Sequence, residues 1–577
     1  MNNKMLNIIT LCILLFMLAG CVSFDEGQVS EKTDEIAEKI IQENPNQDEL
    51  EVSDRNAEPD AVRSILNLSG RNFDGFGLND AFGDEMSILN LISPGLTRYD
   101  PDSMRFLPVL AESWEISDDL LTWTFTLRDD IAWVVVDTTN QEVRQVTDSD
   151  GEVIFLSAND IKNQLLYTLA PGSGSDFSYL LFNIVGAQEY ASGTGGEEGV
   201  QIEVPSEDRL VIHLKEPDAG LLDLTELNLF SAFPTWLDQG DSTGRSYFYG
   251  PFIPASALTI DNDELILVKN SYWPGTEGLA MPSMDMINIT IQNSLDVLET
   301  FRVGALDAVL LTDTEYEIAL ADPELADSIV SVPGRVGLYM LFNNTDLEPL
   351  NDVNVRRSIA GSLDRSSLMD SLEKGEWIVQ EGFIPDYLRK EPFDGASYSS
   401  NANSSTADFN MAGIDLISYG LSTKISNAIY FQLSEKSKLN FFPHFVSNSG
   451  TDESSLYTEL NQNYSDSPGI YMLHFSLNEN SQQEMWDSLY DPMTFVEIQN
   501  GNWNNSEFTD LFNQAKQATN PEDRIDLYAR MEEILVNEDV MIIPIFWAQE
   551  HWLVSQDLNA EILPLYQQYE NWSHIAP

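Results

Sequence analysis

Basic residues are scarce in this chain. Against 94 aspartates and glutamates there are 29 lysines and arginines, a formal net charge of −65. That balance excludes nucleic acid as a partner, because phosphate binding needs clustered Lys and Arg. The acidic surface serves solubility in a salty or crowded exterior, or steers cationic ligands over the ~10 Å before salt screens the attraction. Cysteine is almost missing, with Cys12 and Cys21 the two present. The five histidines, His213, His444, His474, His551 and His574, are scattered, with no His-Glu-x-x-His zinc helix, and no Gly-x-Ser-x-Gly elbow occurs. They read as structural, so no catalytic residue, metal or cofactor is expected, and so few soft ligands argue against direct soft-metal binding. Gly193-Thr194-Gly195-Gly196 lacks the third glycine of a dinucleotide loop and the lysine of a phosphate loop. Asp148-Ser149-Asp150-Gly151 lacks the later ligands of a calcium loop and reads as a hairpin turn. Beyond residue 21 no apolar run is long enough to span a bilayer; the best, Val540 to Phe546, is strand-sized and contains Pro544.

What is present begins with Lys4, an apolar run from Leu6 to Leu18, and Leu18-Ala19-Gly20-Cys21. The run is shorter than the ~20 residues of a spanning helix, and small residues precede the cysteine, which is the order of a cleaved secretory signal. The tetrapeptide resembles the lipobox of bacterial lipoproteins. That resemblance implies a signal peptide over 1–20 and a diacylglycerol on Cys21 as the first mature residue; an uncleaved anchor helix is the alternative. Two acyl chains at ~0.8 kcal/mol per buried methylene anchor stably, so the chain is expected on the extracytoplasmic face of the cell membrane. Cys12 leaves with the signal, so no internal disulfide forms although the compartment is oxidising. Stability then rests on a large core, which 577 residues at 43% hydrophobic composition allow, in about three or four domain-sized units. Residues 21–61, rich in Glu, Asp, Gln and Asn, read as a disordered acidic tether in which Asp34 to Gln42 has the pattern of a transient helix.

Val62 to Leu68 marks the first strand of the folded part. Leu121 to Arg128 alternates with period two, placing Leu121, Trp123, Phe125 and Leu127 on one buried face. Leu210 to Lys215 and Met286 to Ile291 repeat the pattern, and Asn262-Asp263 has the form of a hairpin turn. Ser157 to Asp160 resembles a capping box ahead of Ile161, Leu165, Leu166 and Leu169, and Asn520-Pro521 places a cap and a first-turn proline before Ile525, Tyr528 and Met531. Ser397 to Thr406 reads as an exposed loop.

Leu107 to Asp119 followed by Leu121 to Asp129 resembles the most recognisable stretch of the bacterial extracellular solute-binding family of ABC importers, the oligopeptide-, dipeptide- and nickel-binding type. In the same order come Leu156 to Ile161, Tyr249 to Phe252, Lys269 to Trp273, Arg302 to Ala308, Phe342 to Asn344, Asn351 to Ala360 with Asp364-Arg365, and Asn520 to Arg524 through Pro544. Most of these residues are core and turn elements, so they identify a fold more than a site. The resemblance implies an α/β, two-lobed, periplasmic-binding-protein-like fold with an additional inserted domain and the ligand cleft between the lobes. Residues 62–97, 209–335 and 550–577 would form lobe I, 98–208 the inserted domain, and 336–549 lobe III. The function implied is capture of oligopeptides and delivery to ABC permease subunits by hinged closure, without enzymatic activity.

Peptide-binding members of the family place an aspartate shortly before an acidic-Pro step, where it pairs with the peptide amino terminus. Here the local sequence is Trp486-Asp487-Ser488-Leu489-Tyr490-Asp491-Pro492, with Ser488 in that position and Asp487 or Asp491 as substitutes. The expected ligand-binding set is Glu85, Tyr339, Trp486, Asp487, Tyr490, Asp491, Trp503 and Asn504. The alternative for Asp491-Pro492 is a plain turn, and for Trp486 a core position. Alternative functions are the same fold binding a non-peptide solute or a signalling peptide, and a surface hydrolase.

Overall fold

In the computed structural model, residues 65–70 and most of 84–558 are described; within that span 238–245, 256–263, 371–376, 394–412, 447–467, 477–481, 490–502 and some shorter stretches lie outside the described residues. The hairpin turn at Asn262-Asp263, the loop at Ser397 to Thr406 and everything before residue 65 therefore lie outside them as well. No helix among the described residues is long and apolar enough to cross a membrane.

Among the described residues eleven strands form one mixed sheet: β1 (Ile65–Gly70), β2 (Phe252–Pro254), β3 (Glu264–Lys269), β4 (Met286–Ile291), β5 (Ala308–Leu310), β6 (Ile329–Asn343), β7 (Trp377–Val379), β8 (Ile414–Tyr419), β9 (Phe441–Val446), β10 (Gly469–Ser476) and β11 (Ile542–Val554). Their spatial order is β2-β3-β4-β1-β5-β11-β6-β10-β8-β9, with β7 pairing β11 off that path. β1 runs parallel to β4 and β5, and β8 parallel to β9 and β10, whereas β11 is antiparallel to β5, β6 and β7. The central strands are apolar on both faces, as a sheet covered on both sides requires; Ile542 to Phe546 are all buried.

A second, four-stranded antiparallel sheet is built from Ala111–Ile116, Thr122–Leu127, Arg209–His213 and Ile202–Ser206. Its second strand shows the alternation read from the sequence, with Trp123, Phe125 and Leu127 buried and the threonines between them half-buried. Arg209–His213, grouped with the first lobe on sequence, pairs antiparallel with Thr122–Leu127 in this second sheet, its buried Leu210 and Ile212 opposite Phe125 and Trp123. Helices α1 (Asp84–Ile92), α2 (Ala158–Leu169), α3 (Leu221–Thr225), α4 (Val353–Gly361), α5 (Ser506–Gln517) and α6 (Pro521–Glu532) complete the frame used below. α2 starts where Asp160 reaches back to the Ser157 backbone N–H at 2.9 Å, and α6 where the Asn520 side chain accepts from the Glu522 N–H at 3.2 Å.

The apolar side chains sort into two large clusters and a small satellite. One runs from Leu66 through Phe125 and Leu165 to Ile289 and Val332 and takes in Trp552 and Val554. The other runs from Leu338 through Ile417, Trp486 and Phe512 to Trp547. β6 and β11 pass from one to the other, so the molecule is two-lobed although its main sheet is continuous. Where they pass, the ladder between them breaks its register between Pro333 and Gly337. A Cβ at Gly337 would lie 2.6 Å from the Trp547 ring, and that indole donates to the Gly334 carbonyl at 2.7 Å. A second register shift, between Leu338 and Tyr339, falls opposite Pro544, which has no N–H to offer the ladder.

Candidate functional site

The second lobe carries a chain of aromatic rings that begins beside the crossing strands. Tyr339 on β6 meets Phe383 at 5.6 Å between centroids; Phe383 meets Trp486 at 5.0 Å; Trp486 meets Phe508 at 6.0 Å and stacks on Tyr528 at 5.6 Å; Phe508 meets Trp503 at 4.9 Å. Three residues of the expected ligand-binding set, Tyr339, Trp486 and Trp503, are thus brought into one network by Phe383 and Phe508, which sequence reasoning did not single out. Tyr339 is 1% and Trp486 0% exposed. In this arrangement neither ring presents a surface to a ligand, because each satisfies the apolar interior between β6 and α6. The Tyr339 hydroxyl donates to the Phe383 carbonyl at 2.7 Å. Burial first, and the Glu532 carboxylate second, push that phenol far above the ordinary tyrosine range. The Trp486 Nε1 is buried with no hydrogen-bond partner among the described residues, a cost that a well-packed core normally avoids.

Trp503 is half-buried; its Nε1 donates to Asp539 Oδ2 at 2.7 Å, an oxygen it shares with the Asn505 amide at 2.9 Å. Asn505 also caps α5 by accepting from the Phe508 N–H at 3.1 Å. Asn504, next to it, is exposed. Asp487, Tyr490 and Asp491 lie outside the described residues, and of Glu85 the backbone alone is described, in the first turn of α1.

Beneath Phe383 lies a buried ion pair. Arg389 forms a two-pronged contact with Glu532 of α6, with side-chain exposures of 9% and 1%. Glu532 also accepts from the Ile384 N–H at 2.9 Å, and Arg389 Nε donates to the Ile384 carbonyl at 2.9 Å. The pair clamps the segment 380–389 onto α6, directly under the aromatic network. Burial raises the Glu532 carboxyl above its ordinary range even though Arg389 pulls it down. Neither residue stood out in the sequence, since 143 positions separate them and a lone Glu at a helix end is ordinarily solvated. Among the described residues no group of three His, Cys, Asp or Glu is placed to hold a metal ion.

The two lobes, each with its own core, are thus linked by two crossing strands, with the buried aromatic network beside them in the second lobe. The family description "Bacterial extracellular solute-binding proteins, family 5 Middle" matches residues 105–520, and the chain belongs to that family. It is 24% identical over 494 residues to the oligopeptide-binding protein of Bacillus subtilis (strain 168), covering 82% of this chain and 84% of the relative. To heme-binding protein A of Haemophilus influenzae it is 21% identical over 468 residues, 77% of this chain and 79% of the relative. Among solved structures, the periplasmic murein tripeptide-binding protein in its unliganded open form superposes with a TM-score of 0.69 at 17% identity, covering 90% of this chain and 99% of that one. The family and its structural neighbours are binding proteins rather than enzymes, and they act outside the cytoplasm.

Proposed function

We propose that this chain is the capture subunit of an ABC importer, taking oligopeptides between its two lobes and delivering them to permease subunits in the membrane. The observation that carries this reading is the connection between the lobes. Two cores joined through β6 and β11, with the ladder broken between Pro333 and Gly337, can rotate at the break without disturbing either interior. Contacts from both sides then make ligand binding favour the closed arrangement. Peptide-binding relatives along most of the chain's length support the ligand class.

The site follows from the same reading. The buried network of Tyr339, Trp486 and Trp503 forms a floor, and the segment it carries, with Asp487, Tyr490 and Asp491, meets the peptide amino terminus together with Asn504; Glu85 on α1 belongs to the opposing wall. A carboxylate screened from water by aromatic neighbours holds an ammonium strongly, because leaving either group unpaired costs several kcal/mol. The lipobox places the protein at the membrane through Cys21, with 21–61 as tether. Mass spectrometry of small molecules that co-purify with the native protein, followed by calorimetry of each, tests the proposal. Peptides should be recovered; at a hundredfold excess over Kd one should stabilise the fold by about 2.7 kcal/mol and shrink the solution-scattering radius. Tight peptide binding with an unchanged radius counts against hinged closure, and recovery of a non-peptide solute alone counts against the ligand class.

A further inference from the structure

Away from β6 and β11 the two lobes also touch where α3, packed in the first core, faces the α5–α6 turn of the second. Arg524 Nη1 of α6 donates to Asp223 Oδ2 of α3 at 3.0 Å, and the side chains are 9% and 11% exposed. Beside them the Ala219 N–H donates to the Lys516 carbonyl at 2.6 Å. Each half of this contact repairs a local defect in the opposite lobe. Lys516 lies in the last turn of α5, whose carbonyls have no partner within the helix, and Ala219 supplies one from across the boundary. Arg524 sits near the amino end of α6, where the helix dipole disfavours a cation and burial disfavours it further. Asp223 outweighs both, and Asp218 adds to it, so that Arg524 is held charged above its ordinary range. On the first lobe, Tyr99 packs against the same place, its N–H donating to Glu226 at 3.1 Å. Burial, then Asp223, push its phenol up to about 12.

We propose that the Asp223–Arg524 ion pair, with the Ala219–Lys516 hydrogen bond, is a tether that holds the two lobes in one relative arrangement when no ligand bridges them. A hydrogen-bonded pair at 3.0 Å has no slack: rotation about the crossing strands separates it, and it keeps the lobes from drifting until a ligand supplies contacts in its place. The apolar clusters on the two sides stay separate, so this polar contact contributes what the cores do not. The tether matters for function only under the hinged-closure reading, but it is measured without any ligand.

The experiment places spin labels on the full chain at Val303→Cys and Phe431→Cys, exposed positions of the two lobes, with Cys12 and Cys21 replaced by serine. The unliganded parent should give one narrow inter-label distance. Asp223→Asn with Arg524→Gln removes both charges together, which spares the fold the cost of a lone buried charge, and the distribution should broaden or gain a second population. Hydrogen exchange of the unsubstituted chain gives a second reading, in which the Ala219 amide should be protected and should change its rate when ligand saturates the protein. Identical distributions in parent and double variant, or an Ala219 amide exchanging as fast as an unstructured one, overturn the tether. If the distance shifts in the double variant while no peptide binds either chain, the tether stands and the peptide reading falls.

Discussion

Replacing Arg389 by methionine should destabilise the second lobe by about 3–5 kcal/mol at neutral pH, the range for removing one partner of a buried ion pair. The structure sets that size. Glu532 is 1% exposed, and beside Arg389 it meets the backbone N–H groups of Ile384 and Phe383, so the variant leaves a buried carboxylate with backbone donors but no counter-charge. The pH dependence distinguishes this cause from lost packing. A carboxyl whose folded pKa is raised, as burial raises that of Glu532, favours folding in its protonated form. The stability it confers is complete below the unfolded value of about 4.3 and is lost as pH rises through the folded value. Without Arg389 the folded value climbs further, so the deficit of the variant against the parent should be large near pH ~7 and shrink as pH falls toward ~5. Urea unfolding followed by tryptophan fluorescence at several pH values reads both quantities. Adding Glu532→Gln should recover most of the loss, since an amide costs less to bury than a lone charge. A deficit under about 1 kcal/mol, or one that does not change with pH, would show that Glu532 is solvated or paired elsewhere.

Gly337→Ala puts a methyl 2.6 Å from the Trp547 ring and should cost about 1–3 kcal/mol, read by thermal melting; an unchanged melt would show that the crossing strands yield freely. Asp487→Asn or Asp491→Asn should weaken a free peptide by tenfold or more, about 1.4 kcal/mol, with little effect on its N-acetylated form. Equal affinities for the two forms in the parent chain would remove the amino-terminal anchor from this segment. Cys21→Ala should abolish labelling by a clickable fatty acid and leave the precursor uncleaved, and label retained by the mutant would sink the lipobox.

Local features of the fold were legible because their causes are local. The alternation over Trp123, Phe125 and Leu127 needs nothing beyond a sheet face, and the caps at Asp160 and Asn520 involve neighbours within three residues. Pairings fixed by distant residues were not legible: nothing in Arg209–His213 says that its partner is Thr122–Leu127, nor does Arg389 announce Glu532. The aromatic residues show a different limit. Tyr339, Trp486 and Trp503 were found by resemblance, but a large flat ring serves equally as a platform for a ligand or as core filling, and only their burial separates the two uses. Arg524 did carry a readable signal, a cation in the first turns of a helix, which calls for an anion from outside that helix.

The position of β11 has a consequence for how the chain is made. Among the described residues it is the last strand in sequence, and it stands in the middle of the main sheet, between β5 and β6. Until residues 542–554 are synthesised, β5 and β6 have no ladder to join them, and each lobe offers a bare edge where its neighbour belongs. The first lobe cannot finish early, because Trp552 and Val554 belong to its core. Assembly therefore waits for residues 542–554, with the long sequence separations that make folding slow. A chain cut short at Asp539 would leave the edges of β5, β6 and β7 without their partner and with a tendency to aggregate.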